Sequence, residues 1–488
     1  MTTLKKDFDL RKNWYSNRSS CVFPLDLKKG SEFCLSFFNY WKQKNNIDDL
    51  KMNLRFYNER GQLKKIFSDY IISDHNEFFF REIVGNNFKG IVDVEFISTK
   101  NLRYSFPGIT GFYISPKKDV SGVHAAGRIL SSNELLSNKN EYIEETNFSL
   151  KYKRNQITPF FSLYNSHIPK KNNLVTVKIL DDKKNIISKT KINFLKKSYE
   201  NKIFYLKDFF TDKSLAKAKI CIVKVKNNEL FTRMVCGNYH VKNHHYEVTH
   251  SYPVQKTDGD YISKSYLKKN VKHVSYLPFV KPKELNLKLR VFPTNLKSNL
   301  NASLFIFNKS LKIFENKGLF KIKPHKNFFE FDLKNKDEEF GFFGIKQNNV
   351  PSRITTNFIY GNGNKNGYDT DIALGFKSIE YPNKFTHWGS FLSSKNTETV
   401  ILIRKIHYFK NKKNSDGYLN FYGKNFKKKI KISLNKDDYK IVYFSKFHKN
   451  TNSDLTGFSW MLNCNNAEGI EVFWNTFNKN FVSGCHSF

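Results

Sequence analysis

The sequence predicts an all-β fold made of four tandem antiparallel β-sandwich-like modules of about 115–125 residues each. Three observations predict it. A strand–turn–strand signature returns four times along the 488 residues at near-constant spacing. Within it, apolar and polar residues alternate with a period of two, the mark of a half-buried strand. Aromatic residues make up 16% of the chain, with 48 Phe and 25 Tyr, and aromatics favour pleated surfaces.

Each module opens on an apolar run: FCLSFFNY, ITPFFSLYN, LNLKLRVF and VILIRKIHYF. The hairpin signature follows as LRFYNERGQLKK, VKILDDKKNIIS, LFIFNKSLKIF and LNFYGKNFKKKI. Its alternating apolar pairs are Leu54/Phe56, Val177/Ile179, Leu304/Ile306 and Leu419/Phe421. They lead into Asn58, Asp181, Asn308 and Gly423, residue types that tolerate or brace a tight turn. These turn positions lie 123, 127 and 115 residues apart. About 20 residues later come EFFFREI, IFYLKDFF, FFEFDL and KIVYFSKF. A further strand then runs towards Asn101, Asn228, Asn349 and Asn466, placed 43, 47, 41 and 43 residues beyond the turns. After it another strand is expected, carrying Arg103, Arg233 and Arg353 in the first three modules. The count comes to six or seven strands per module, with expected bounds of 22–130, 150–255, 274–390 and 397–488. Residues 133–145, between the first two modules, read as the best helix candidate. The pattern resembles immunoglobulin-like and carbohydrate-binding sandwiches at the level of fold alone.

The formal net charge is +38, which invites a polyanion as partner. Only 12 of the 82 basic residues are Arg, the side chain best suited to forked phosphate and base contacts. The lysines are spread over every module, so a solvated lysine surface is the plainer expectation. The six cysteines form no CxxC pair and sit in strand-like runs, so reduced core thiols are expected. The opening residues lack the apolar stretch of a secretory leader, and no run is long enough for a spanning helix; the cytoplasm is the expected location.

The module ends hold the candidate chemistry. His124, His250 and His486 lie 23, 22 and 20 residues beyond the Asn that closes the preceding strand, and Asp371 lies 22 beyond its own. One binding set is therefore His124, His250, Asp371 and His486, with Arg103, Arg233 and Arg353. A second candidate is a zinc-type cluster of His240, His244, His245, Glu247 and His250, since imidazole with carboxylate suits that metal. On a strand, His245 and Glu247 share a face and His250 falls on the other, so a bulge would have to intervene. The run GNGNKNGYDTD, with Asp369 and Asp371, offers oxygen ligands of the calcium type without EF-hand spacing. Trp388, Trp460, Trp474, Tyr239 and Tyr246 are candidates for a sugar-stacking platform.

The sequence contains no P-loop, no dinucleotide fingerprint between strand and helix, no GxSxG elbow and no HExxH. The leading expectation is a non-catalytic, module-built protein that binds a ligand or a protein partner, with a carbohydrate or polysaccharide as the favoured ligand. The second is an enzyme whose His/Asp site forms where module ends converge. The third is lysine-driven binding to nucleic acid or another anionic surface.

Overall fold

The computed structural model describes residues 16–124, 127–131, 142–168, 174–183, 185–193, 197–227, 234–253, 275–283, 285–292, 299–308, 310, 313–323, 329–333, 337–345, 355–361, 370–375, 377–378, 386–405, 415–435, 439–449, 451, 453–465, 467–476 and 482–486. The first module holds β1 (Arg18–Asp26), β2 (Glu32–Phe38), β3 (Lys51–Asn58), β4 (Leu63–Tyr70), β5 (His75–Phe79), β6 (Lys89–Ile97), β7 (Thr110–Ile114) and β8 (Val120–His124). The second holds β9 (Tyr142–Ser149), β10 (Ile157–Tyr164), β11 (Leu174–Leu180), β12 (Ile186–Asn193), β13 (Asn201–Tyr205), β14 (Ile220–Asn227), β15 (Val235–His240), β16 (His245–His250) and the short β17 (Tyr252–Pro253). The third holds β18 (Ser275–Lys281), β19 (Asn286–Phe292), β20 (Leu300–Asn308), β21 (Ile313–Ile322), β22 (Phe329–Leu333), β23 (Glu339–Ile345), β24 (Thr355–Gly361), β25 (Thr370–Gly375) and the short β26 (Lys377–Ser378). The fourth holds β27 (Thr386–Ser393), β28 (Thr397–Lys405), β29 (Ser415–Gly423), β30 (Phe426–Leu434), β31 (Tyr439–Tyr443), β32 (Thr456–Cys464), β33 (Ala467–Asn475) and β34 (Val482–His486).

All four modules share one topology. The first, sixth, third and fourth strands form one sheet in that order, and the fifth, second, seventh and eighth form the other. In the second and third modules the short strands β17 and β26 add to the first sheet, beside β9 and β18. Each module thus has eight main strands, where the pattern suggested six or seven. β1 begins at Arg18, and β27 pairs with β32, so residues 386–393 belong to the fourth module. Of the stretch expected to be helical, residues 142–145 open β9; the part before them lies outside the described residues.

The recurring turn residues act through their side chains. Asn58 Oδ1 accepts from the backbone N–H of Arg60 (3.1 Å) and Gln62 (3.0 Å). Asp181 Oδ1 accepts from Lys183 N and Asn185 N, both at 2.9 Å, and Asn308 Oδ1 from Ser310 N at 3.0 Å. A short polar side chain here replaces the partners that the turning backbone loses. In the fourth module Gly423 pairs with Phe426, a two-residue hairpin that has no room for such a brace. The alternating pairs before these turns face inward: Leu54, Phe56, Val177, Ile179, Leu304, Leu419 and Phe421 are buried, and Ile306 is partly buried against the same core.

The modules close into a ring by one repeated head-to-tail packing. The outer face of each second sheet lies on the outer face of the preceding module's first sheet. β13 meets β6 between modules two and one, and β33 meets β18 between modules four and three. Asn357 Nδ2 on β24 donates to Ser149 Oγ on β9 at 3.2 Å between modules three and two. The fourth contact joins the ends: β2 lies over β27 and β32, and β5 over β32 and β29. There Tyr40 stacks on Trp388 with centroids 4.4 Å apart, Trp388 Nε1 donates to Gly108 O at 3.2 Å, and His75 Nδ1 lies 2.8 Å from Ser459 Oγ. Burial holds His75 neutral, with its pKa pushed down to about 4. A heterologous contact that repeats with a fixed rotation must run on as a filament or close, and this one closes after four steps.

Candidate functional site

This ring has a rim and an axis, and strand order sets which residues reach each. Where second sheet meets first, the fifth strand lies over the sixth and third, and the second strand over the sixth and first. The fourth strand of every module therefore falls outermost, while the eighth falls innermost.

The four rim strands are β4, β12, β21 and β30, each the free edge of its sheet. All are lysine-bearing. Lys64 and Lys65, Lys189 and Lys191, Lys317 and Lys321, and Lys427, Lys428, Lys429 and Lys431 are exposed. Large apolar side chains stand exposed beside them, among them Leu63, Ile66, Ile186 and Leu319. Some lysines are held by neighbours: Lys427 pairs with Asp74 at 3.3 Å, and Lys429 lies 3.9 Å over the Tyr418 ring. Charged edges discourage edge-to-edge pairing of sheets, and the same charges form an electropositive rim.

At the axis β8 packs against β16 and β34, and β25 against the same two strands. His124 closes β8 and His250 closes β16, both buried, with their Nε2 atoms 2.9 Å apart and ring centroids 4.4 Å apart. His486 is the last residue of β34. Asp371 does not match them. It is the second residue of β25, opposite Ile359 beside the hairpin loop, while the three histidines stand at the far ends of their strands. Spacing counted along the chain treats the loops as equal in length, and the loop before β25 breaks that assumption.

The five-residue metal set separates. β16 runs regularly against β15 from His245 to His250, so no bulge turns His250 onto the face of His245 and Glu247. Glu247 Oε2 lies 2.8 Å from His240 Nε2, and Oε1 accepts from Lys151 at 3.1 Å. Burial opposes its charge, but Lys151 and His240 outweigh burial and hold the carboxyl at about 2. His245 is fully buried, and burial with the charge of His240 pushes its pKa down to about 3. His244 sits left-handed, φ 49°, with Nδ1 2.7 Å from Tyr239 OH. Among the described residues no group of three or more His, Cys, Asp or Glu is arranged to hold a metal ion.

Other expectations move as well. Arg103 is exposed in a left-handed turn, φ 65°, with its N–H on Asn101 Oδ1 at 2.9 Å, and not on a strand. Arg233, Arg353 and Asp369 lie outside the described residues. Trp388, Trp460, Trp474 and Tyr246 are buried, and Tyr239 half-buried, so they form no sugar-stacking face. Cys21, Cys34, Cys221, Cys236 and Cys464 are buried free thiols. One signal in the sequence was missed: Val-Ser-Gly-Xaa-His occurs at 120–124 and again at 482–486, on β8 and β34.

No described helix is long and apolar enough to cross a membrane. No family model matches the chain, and no curated protein matches it. Among solved structures, the chain aligns with a tetra-tandem repeat from the extending region of a large adhesion protein at 8% identity, covering 90% of this chain and 91% of that one, with a TM-score of 0.11. It aligns with the full-length major pilin RrgB from Streptococcus pneumoniae at 7% identity, covering 91% and 88%, also with a TM-score of 0.11. Superpositions that loose carry no argument about fold or function.

Proposed function

We propose that this ring of β-sandwich modules is a multivalent binding protein that grips an acidic polysaccharide along its rim. The observation that carries the reading is the lysine-bearing outermost strand, repeated in every module at one structural position. A single rim strand offers two to four lysines and weak attraction in water. Four of them on one closed body engage a long polyanion together, and linked sites gain by avidity. Buried tryptophans weigh against stacking on neutral sugars, and the scarcity of Arg weighs against forked nucleic-acid contacts.

Binding of the full chain to a carboxylated polysaccharide such as alginate, with neutral dextran and duplex DNA as comparisons, tests the reading. Tight, salt-sensitive binding to alginate is expected. Charge reversal at Lys427, Lys428 and Lys429 should weaken it about tenfold, and reversal on all four rims should abolish it. Equal binding to dextran, a flat salt response or indifference to rim reversal would overturn the proposal. Tighter binding to DNA would move the reading to nucleic acid.

A further inference from the structure

One contact of the ring differs in kind from the others. Three of the junctions join modules that follow one another along the chain. The seam between modules one and four has no such link, so β2 and β5 meet β27, β29 and β32 through side chains and hydrogen bonds alone. A loss of contact there opens the ring and leaves the modules strung in line. The seam is built around one imidazole. His75 Nδ1 on β5 lies 2.8 Å from Ser459 Oγ on β32, which lies 2.9 Å from Ser390 Oγ on β27. Its Nε2 lies against Gly457, where a Cβ would stand 3.1 Å from it and 2.7 Å from Glu77 Oε2. Glycine at 457 thus lets β32 close on β5, and Glu77 Oε2 accepts from the Gly457 N–H at 2.5 Å. His75, Ser390 and Ser459 are all buried. Hydroxyls bond to a neutral imidazole, but they bring no charge to balance an imidazolium taken out of water.

The groups around His75 can be taken element by element. β2 sets Phe38 and Ser36 opposite His75 and Glu77, neither of them titratable. The β29–β30 hairpin brings Tyr422, Lys424 and Lys427, and β5 itself carries Glu77, with Asp74 just before it. Asp74 is paired with Lys427 at 3.3 Å. Burial pushes the Tyr422 phenol up to about 12, so it stays neutral. Burial also raises the Glu77 carboxyl above its usual 4.5, against the pulls of the Gly457 N–H and Lys424, with Glu82 adding to the rise. The closed ring therefore takes a proton at Glu77 more readily than the open one, and this carboxyl strengthens the seam in acid.

We propose that the seam between modules one and four is an acid-released latch, closed on a neutral His75 and opened by its protonation. An exposed imidazole takes its proton at 6.5; burial, only partly offset by the Gly457 backbone, delays this to about 4 in the closed ring. Between those values the open ring holds a proton that the closed ring refuses. The latch is therefore at full strength above pH 6.5 and weakens as pH falls towards 4. At pH 5 the imidazole alone shifts the equilibrium about 30-fold towards the open ring. Glu77 opposes it with a smaller shift, so the whole seam loses less than this, and the sign stays with His75. The latch is independent of what the rim grips.

The test is hydrogen exchange on the full chain at pH 8 and pH 5, corrected for the intrinsic rates. The Gly457 amide, whose bond crosses the seam, reads the latch. The Leu462 amide, on β32 between β27 and β29, reads the fourth module itself. In the unsubstituted chain Gly457 should lose protection at pH 5 while Leu462 keeps its own. Glu77→Gln keeps an acceptor for Gly457 and removes the opposing carboxyl, so the loss should grow to about 30-fold. His75→Gln cannot take the proton and should abolish the loss. No loss at Gly457 in the unsubstituted chain would overturn the proposal, and so would a matching loss at Leu462; neither reading needs a variant to fold. A loss that survives His75→Gln, or one that vanishes in Glu77→Gln, would overturn it as well.

Discussion

Glu471 stands on β33 with its carboxyl fully buried in the fourth module, and the fold suffers for it at neutral pH. Its Oε2 accepts from Trp460 Nε1, while among the described residues Oε1 meets no hydrogen-bond partner. Burial pushes the carboxyl up to about 8 from 4.5, against the smaller opposing pull of the Trp460 and Ser390 hydrogen bonds. The group is therefore mainly neutral in the folded chain at pH 7 and ionised in the unfolded one. Its cost is absent below pH 4.5, grows as pH rises to about 8, and is constant beyond. At pH 7 that amounts to about 3 kcal/mol. Glu471→Gln keeps the acceptor for Trp460 and puts an amide N–H where the acid O–H stood, so it removes the ionisation without emptying the site. Gly389 leaves the room, since a Cβ there would stand 2.7 Å from Oε2. Chemical denaturation at pH 5, 7 and 8.5, followed by tryptophan fluorescence, should show the variant more stable, with a gain that widens from pH 5 to 8.5. A gain that is flat with pH, or no gain, would refute the reasoning.

Two further outcomes follow from the ring and the second module. Ser121→Ala leaves the buried Val248 N–H without its hydroxyl partner, at a cost of about 1–3 kcal/mol. Hydrogen exchange at the Val248 amide should accelerate; unchanged protection would show that the junction does not depend on the serine. Gly237→Ala puts a Cβ 1.9 Å from Glu247 O at a φ of +149°, which should destabilise the chain by on the order of 3 kcal/mol. A thermal shift assay that finds an unchanged melting temperature would contradict that crowding.

Much of the module was legible because its signals are local. Leu54 and Phe56 alternate across one strand, and Asn58 braces the turn beside it, so neighbours in sequence are neighbours in space. The site was legible in part. His124, His250 and His486 could be singled out because strand ends recur with the module, but the pairing of His124 with His250 spans 126 residues. Asp371 was placed by counting through loops, and hydrogen-bond register, not chain distance, decides where a strand residue stands. The tryptophans were ambiguous for the same kind of reason. A strand's period of two says that Trp388 and Trp460 lie on a face, but the neighbouring module or the facing sheet decides whether that face sees water.

By itself, then, the sequence determined the fold class, the fourfold repetition, the turn chemistry and the residue types at the module ends. These depend on backbone preference and on side chains two to four positions apart. The closure of the ring, the sorting of strands into rim and axis, and the meeting of two histidines from different modules were decided only by tertiary structure. They arise from the packing of sheet faces, in which β2 and β32 touch although hundreds of residues separate them along the chain. No local period records such a contact.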